Sequence, residues 1–448
     1  MGINPGSTAF ESGKKSVDQE QFSPTPIAQI EDTGLPTLWL MDHVLKIIYF
    51  HGYLTGFQLA EIIALPFLGV IDRILENLKR EKLVEVRAST GAAGEGGYPY
   101  GITSLGIDRA REAIERSHYA GPAPVPLESY SNAMHRQFRR RMKVTENEMR
   151  KALSSLVISE ETLQRLGPAV NSGSSVFMFG PSGNGKTTVA NAIGKLILSQ
   201  TMYIPYAIYV DGQVIKVYDS HNHRMVADNP FHTDEAVLMH TGMAKDARWL
   251  QIYRPFVMVG GELTLEGLDL IYNDVSKFYE APFQVKANGG ILLIDDFGRQ
   301  LVRPRDLLNR WIVPLENRVD YLTLNTGRKL EIPFDVLVIF STNLPPKELA
   351  DEAFLRRMRH KVEIGDPSYE EYREIFRRVA LAKGVEYNDQ GLAYLLQEWY
   401  IKKNRKLRAT HPRDLCDQIK DISQYEGIKP TMSRELLDQA AKAYFVDL

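Results

Sequence analysis

The residues best suited to chemistry lie in two short stretches. In the run GPSGNGKTT, Gly180, Gly185, Lys186 and Thr187 satisfy the spacing G-x-x-x-x-G-K-[ST] in full. Glycines at such spacing let the backbone wrap closely, so that successive N–H groups point at the oxygens of a phosphate. Lys186 adds positive charge at the β- and γ-phosphates, and Thr187 offers a hydroxyl to Mg²⁺. Pro181, Ser182, Gly183, Asn184 and Thr188 complete the loop. The second stretch, GGILLIDDFG (289–298), has four apolar residues followed by Asp295 and Asp296. In a phosphoryl-transfer site Asp295 would hold Mg²⁺ through water, and Asp296 would orient and polarise the attacking water. Taken alone, the first stretch could be a chance glycine turn and the second an acidic strand end.

Side chains with these tasks need a rigid frame, and the flanking sequence supplies one. SSVFMFG reads as a strand entering the loop, and KTTVANAIGKLIL reads as a helix leaving it. That helix points its N-terminal dipole at the same anion. ILLI reads as a buried parallel strand, and ligands bind at the C-terminal edge of such sheets. Residues 151–365 alternate helix and strand patterns, which predicts an α/β parallel-sheet core. Residues 366–448 read as helices only.

With these motifs in order, the chain resembles the AAA+ ATPases over about residues 151–430. In that family a later strand ends in a polar sensor, and DVLVIFSTN ends here in Asn343. In DEAFLRRMRHKVEI, the pair Arg356 and Arg357 matches the arginine finger that reaches a neighbouring subunit's γ-phosphate. THPRDLCDQI resembles the start of the second sensor helix, with Arg413 as the sensor. The resemblance implies ATP and Mg²⁺ as ligands and ATP hydrolysis as the activity. It also implies catalytic roles for Asp296, Asn343, Arg356, Arg357 and Arg413, a C-terminal helical lid and a homo-oligomeric, hexameric ring. One departure is Asp296, where most of the family has Glu. The shorter carboxylate implies slow hydrolysis, although replication initiators and helicase-loader-like members also carry Asp-Asp.

Lys186 and Asp295 are 109 residues apart (295 − 186), whereas two crossover units need about 60. The surplus falls between 201 and 285. YAIYVDGQVIKVYD reads as a hairpin on an Asp211–Gly212 turn, and RWLQIYRPFVMVGGELTL as further strand. DYLTLNTGRKLEIP (320–333) reads as a second hairpin just before the Asn343 strand. Hairpins at these places resemble the AAA+ branch of metal-chelatase-type ATPases, their relatives and enhancer-binding activators, where they face the ring pore and push on a client. The activators' Gly-Ala-Phe-Thr-Gly-Ala loop is absent here. His221 and His223 have no Cys or carboxylate partner at metal-ligand spacing.

Residues 1–36 read as a disordered tail. Residues 37–120 read as a separate unit of three helices, the third starting at Pro66, then a two-stranded wing and a closing helix. This order resembles the winged-helix family. AGPAPVP (120–126) reads as a stiff linker, and the basic helix within 121–150 carries Arg136, Arg139, Arg140, Arg141 and Lys143. Over 37–120, nine Lys and Arg stand against ten Asp and Glu, a net of −1. Duplex binding leans on phosphate neutralisation, so this unit is expected to recruit a protein client or adaptor rather than DNA. The rival reading is a DNA-binding regulator or loader that uses ATP as an assembly switch.

The 448 residues are 44% hydrophobic and 25% charged, with a formal net charge of −2, as in ordinary globular proteins. No apolar run approaches the roughly 18 residues needed to span a bilayer. One cysteine, Cys416, excludes an internal disulfide. A cytoplasmic protein without membrane insertion is expected.

Overall fold

The computed structural model describes residues 22–86, 95–138, 143–226, 245–349 and 352–445. Its centre is a sheet of five strands: β1 (Ser175–Phe179), β2 (Phe256–Val259), β3 (Ile291–Ile294), β4 (Leu337–Thr342) and β5 (His360–Glu363). All pair in parallel, in the spatial order β5-β1-β4-β3-β2. Every residue of β3 and β4 is buried, as befits parallel strands covered on both faces.

Alternation along the strands sorts the core into two layers. Ile291, Leu293, Leu337 and Ile339 pack with Val189 and Ile193 of α1 (Lys186–Ile197) and with Leu166 and Val170 of the helix Glu160–Ser172. Leu292, Ile294, Val338 and Phe340 pack with Leu307, Leu308 and Trp311 of α2 (Pro304–Asn317). β4 lies between β1 and β3, so the Asn343 end of β4 separates the glycine loop from the aspartates. The α/β class is as the sequence predicts.

The C-terminal unit has its own core of Tyr372, Phe376, Leu415, Ile419 and Leu437. Its helices include Tyr369–Lys383, α3 (His411–Glu426) and Arg434–Tyr444. The first starts at a capping box, Ser368 with Glu371, and stops at Gly384 in the left-handed region, the usual start and stop signals of a helix.

The segment between 201 and 285 is not all insertion. The run RWLQIYRPFVMVGG divides at Arg254–Pro255. Trp249–Tyr253 pairs antiparallel with Thr201–Pro205, whereas Phe256–Val259 is core strand β2. Both hairpins form. Ala207–Val210 and Gln213–Lys216 join through Asp211 and Gly212, with φ of 48° and 82°, the two positive values a type I′ turn requires. Val319–Thr323 pairs with Lys329–Pro333. Neither hairpin stands alone. Ile208, Ile215, Leu250, Ile252, Leu322 and Ile332 share one core with Tyr130 and Met134 of the helix Leu127–Phe138. The hairpin tips meet in an Arg328–Asp211 ion pair.

The N-terminal unit runs helix (Thr37–His51), strand (Leu54–Thr55), helix (Gly56–Ile63), helix (Asp72–Arg80), strands (Val84–Val86 and Pro99–Ile102) and helix (Ser104–Arg116). The helix expected from Pro66 is broken: Leu68 (ψ 130°) and Gly69 (φ 79°) leave the helical region. A Cβ on Gly69 would stand 2.2 Å from the carbonyl oxygen of Ala28, so residue 28 passes where a regular helix would lie. This corrects the tail expectation for residues 22–36, because Ile27, Ile30 and Leu35 are buried in the unit's core. Residues 1–21, the wing tip over 87–94 and Arg139, Arg140 and Arg141 lie outside the described residues.

The 120–126 stretch is built into the fold rather than spanning a gap. Ala123 N–H donates to Ile63 O at 2.7 Å, and Val125–Pro126 adds a parallel strand beside Ala207–Val210. Arg248, only 3% exposed, pairs with Asp246 and donates to Thr33 O (2.8 Å) and Pro124 O (3.0 Å). One guanidinium thus ties the N-terminal unit, the 120–126 stretch and the inserted β-module together.

Candidate nucleotide-binding site

β1 delivers the chain to Gly180, whose φ is 143° and whose added Cβ would fall 2.2 Å from Ile364 O. Only glycine fits there. Gly183 and Gly185 also have positive φ, 82° and 83°, and α1 starts at the next residue, Lys186. The curled loop and the helix N-terminus face one crevice beside Asp295, Asp296 and Asn343.

Lys186 is 6% exposed. Its Nζ donates to Gly180 O (2.9 Å), Pro181 O (3.0 Å) and Asn343 Oδ1 (2.5 Å). Burial lowers its pKa below the ordinary lysine value, against the opposing pull of Asp296 and Asp295. Thr187 Oγ1 donates to Asp295 Oδ2 at 2.8 Å. Asn343 Nδ2 donates to Asp296 Oδ1 at 3.3 Å. The sequence-predicted Lys186, Thr187, Asp295, Asp296 and Asn343 are therefore in mutual contact.

Asp296 has φ 48°, a left-handed conformation that aspartate tolerates better than most residues. Gln300 holds this turn, donating to Asp295 O (2.9 Å) and Asp296 O (3.2 Å). Phe297 N–H donates to Ser341 O at 2.7 Å, which fastens the turn to β4. Nothing in the sequence pattern singled out Gln300.

The crevice opens into a cavity of about 890 Å³ lined by Ser182–Thr188, Asp295, Asp296, Asn343 and Arg413. Val157 and Ile158, just before the helix Glu160–Ser172, and Ile375 and Val379 of the C-terminal unit also line it. These apolar residues went unnoticed in the sequence because they carry no reactive group. They give the cavity surfaces on which a flat ring can stack. The mixture of convergent polar groups and apolar wall is typical of a small-molecule site.

Arg413 stands in the first turn of α3 and donates to Asp414 Oδ1 (3.1 Å) and Thr410 Oγ1 (3.2 Å). Arg356 and Arg357 are apart from this group. They end the helix Glu352–Arg357, are exposed, and are not among the described cavity-lining residues. Arg357 pairs with Glu316 of α2. His223 serves the fold: its Nδ1 accepts from Asp219 N–H (3.0 Å), leaving Nε2 to donate to Lys286 O (2.8 Å).

Residues 368–443, the C-terminal helical unit, match a domain of unknown function, DUF8689. No curated protein matches the chain. Among solved structures, NtrX from Brucella abortus in complex with ADP is 16% identical, with 74% of this chain and 65% of that chain covered and a TM-score of 0.38. The same protein in complex with ATP is 14% identical, with coverages of 76% and 64% and a TM-score of 0.36. RuvB from Thermotoga maritima, a Holliday junction branch migration motor, is 15% identical, with coverages of 69% and 74% and a TM-score of 0.35. The chain thus spans slightly less than two thirds of the NtrX chains. At these TM-scores the likeness carries no functional argument, and the reading below stands on this chain's own site. No helix among the described residues is long and apolar enough to cross a membrane.

Proposed function

We propose that this chain is an AAA+ protein that binds and hydrolyses ATP, works as a homo-oligomeric ring, hexameric by resemblance, and remodels a macromolecular client recruited by its N-terminal winged-helix unit. The observation that carries the reading is one constellation. Lys186, the Thr187–Asp295 pair and the Asn343–Asp296 pair converge where the glycine loop meets the C-terminal ends of β3 and β4. The five-strand order, with β4 between loop and acids, supports it.

The donor set fits ATP with Mg²⁺. Among the described residues, the hydrogen bonds of Lys186 Nζ go to neutral oxygens, which phosphate oxygens can replace with a gain of charge pairing. Thr187 and Asp295 present hydroxyl and carboxylate oxygens, the hard donors that Mg²⁺ prefers. When bound, Mg²⁺ would neutralise charge building on the phosphate oxygens. Asp296 holds and polarises the attacking water, and Asn343 fixes the carboxylate that does so. Arg413 adds charge from the C-terminal unit. Arg356 or Arg357, exposed and apart from their own cavity, serve a neighbouring subunit's nucleotide.

Phosphate release per subunit tests this reading. It should climb with protein concentration, because a lone subunit lacks the guanidinium of its neighbour. Arg356→Ala or Arg357→Ala should abolish the climb while ATP binding persists. A per-subunit rate that is flat with concentration and indifferent to both substitutions sinks the ring.

A further inference from the structure

Asn184 sits in the glycine loop at a position whose side chain the phosphate chemistry does not call for. It is nonetheless 6% exposed, and its amide is fully engaged. Nδ2 donates to Gly365 O (2.9 Å) and to Asp366 Oδ1 (2.8 Å), while Oδ1 accepts from Ala409 N–H (3.1 Å). Gly365 and Asp366 follow β5 and lead to Ser368, the cap of the first helix of the C-terminal unit. Ala409 belongs to the turn that starts α3. One side chain therefore ties the phosphate loop to both the entry and the interior of the C-terminal unit.

Neighbouring contacts reinforce the tie. Gly183 O accepts from Thr410 N–H at 2.8 Å, and an added Cβ on Gly183 would stand 2.7 Å from Thr410 Cγ2. Arg408 pairs with the same Asp366 carboxylate that Asn184 holds. Because these partners come from separate segments, the C-terminal unit cannot swing from the core sheet without breaking hydrogen bonds to the loop that grips phosphate. Buried amide groups left unpaired are costly, so the loop and the unit move in step.

We infer that Asn184 is a positioning residue: it couples the angle of the C-terminal unit to the grip of the phosphate loop, and so sets the rate at which ADP leaves. The inference rests on the nucleotide reading above, and concerns regulation of that same site. An Asn184 amide that is in place keeps the loop curled while the unit is closed, and opening the unit loosens the loop. Removing the amide separates the two motions.

The test uses the full-length protein with a fluorescent ADP analogue and Mg²⁺. Stopped-flow chase gives the ADP release rate, and a pair of spin labels on Lys195 and Tyr425, replaced by cysteine in a Cys416→Ser background, gives the distance between α1 and α3 with and without ADP. Asn184→Ala should release ADP about tenfold faster, the worth of roughly one net hydrogen bond, and its distance should no longer respond to ADP. Asn184→Asp, which sets two carboxylates together, should release faster still. Unchanged release and an unchanged distance response in Asn184→Ala overturn the inference. A loss of thermal stability without either change overturns it too, since a purely structural role predicts that outcome. Lys186→Ala serves as the separate control: ADP binding as tight as in the parent protein would contradict the nucleotide reading itself, whatever Asn184 does.

Discussion

The proposed nucleotide crevice and the N-terminal junction are held by opposite kinds of contact. In the crevice, Lys186 rests on two loop carbonyls and one amide oxygen, and Arg413 donates to Asp414 and Thr410. Every one of those bonds can be exchanged for a bond to a ligand. At the junction, Arg248 and Asp246 are buried together, and the guanidinium's Nη1 protons go to the main-chain carbonyls of residues 33 and 124. Aromatic contacts such as Trp39 on Tyr209 and Tyr119 on Phe278 also join the N-terminal unit to the inserted module. Separating the units would break both carbonyl bonds and leave buried guanidinium protons unpaired. Motion is therefore expected between the core sheet and the C-terminal unit, and the N-terminal unit is expected to travel with the inserted β-module as one body.

The largest way to break this contrast is Arg248→Ala. It strands Asp246 and two carbonyls, and breaking a buried ion pair costs about 3–5 kcal/mol. Chemical denaturation should show the N-terminal unit unfolding first, with nucleotide affinity retained. Asp296→Asn comes next and acts on the other region. It should lower phosphate release by about a hundredfold or more, the lower end of what a general base contributes, while ATP affinity holds within a few-fold. Gly69→Ala then probes the backbone packing inside the N-terminal unit. A positive φ and the Ala28 carbonyl together should cost roughly 1–3 kcal/mol, read as a lower midpoint in the same denaturation experiment.

The smallest expected effect is a pH slope. His43, stacked between Trp39 and Tyr119, is lowered to about 3 by burial and by Lys46. His411, at the start of α3, is lowered to about 4 by burial, with Arg408 and Arg405 adding to it. Both are neutral in the fold and gain protons more readily when unfolded. Their stabilisation is complete above about pH 6.5 and is lost as pH falls from there toward 4. Melting temperature should fall across that window, and His43→Gln, which keeps an N–H for the Gly121 O that His43 Nε2 meets at 2.7 Å, should flatten the slope.

These regions also differ in how far the sequence announces them. Phosphate chemistry demands Gly180, Gly185, Lys186 and Thr187 at fixed spacing, and the buried ILLI run can only be a covered strand. Hence the loop and the aspartates could be named from short windows, whereas Asn343 rests on the family resemblance. The junction depends on partners far apart in the chain. Ile27, Ile30 and Leu35 are single apolar residues in a polar stretch, with no period to mark them, and their burial depends on a surface formed by residues 40–78. The break at Arg254–Pro255 is visible as a proline, yet nothing nearby reveals that the strands on either side enter different sheets. The three partners of Asn184 lie more than 180 residues away, beyond any local pattern.

The most direct test of the whole account is equilibrium titration of the full-length protein with ATP and Mg²⁺, beside Lys186→Ala. Saturable binding at one site per chain, weakened at least about a hundredfold by the substitution, as loss of a charge-assisted contact predicts, is the expected result. No saturable binding by the parent protein, or equal affinity in Lys186→Ala, would contradict it.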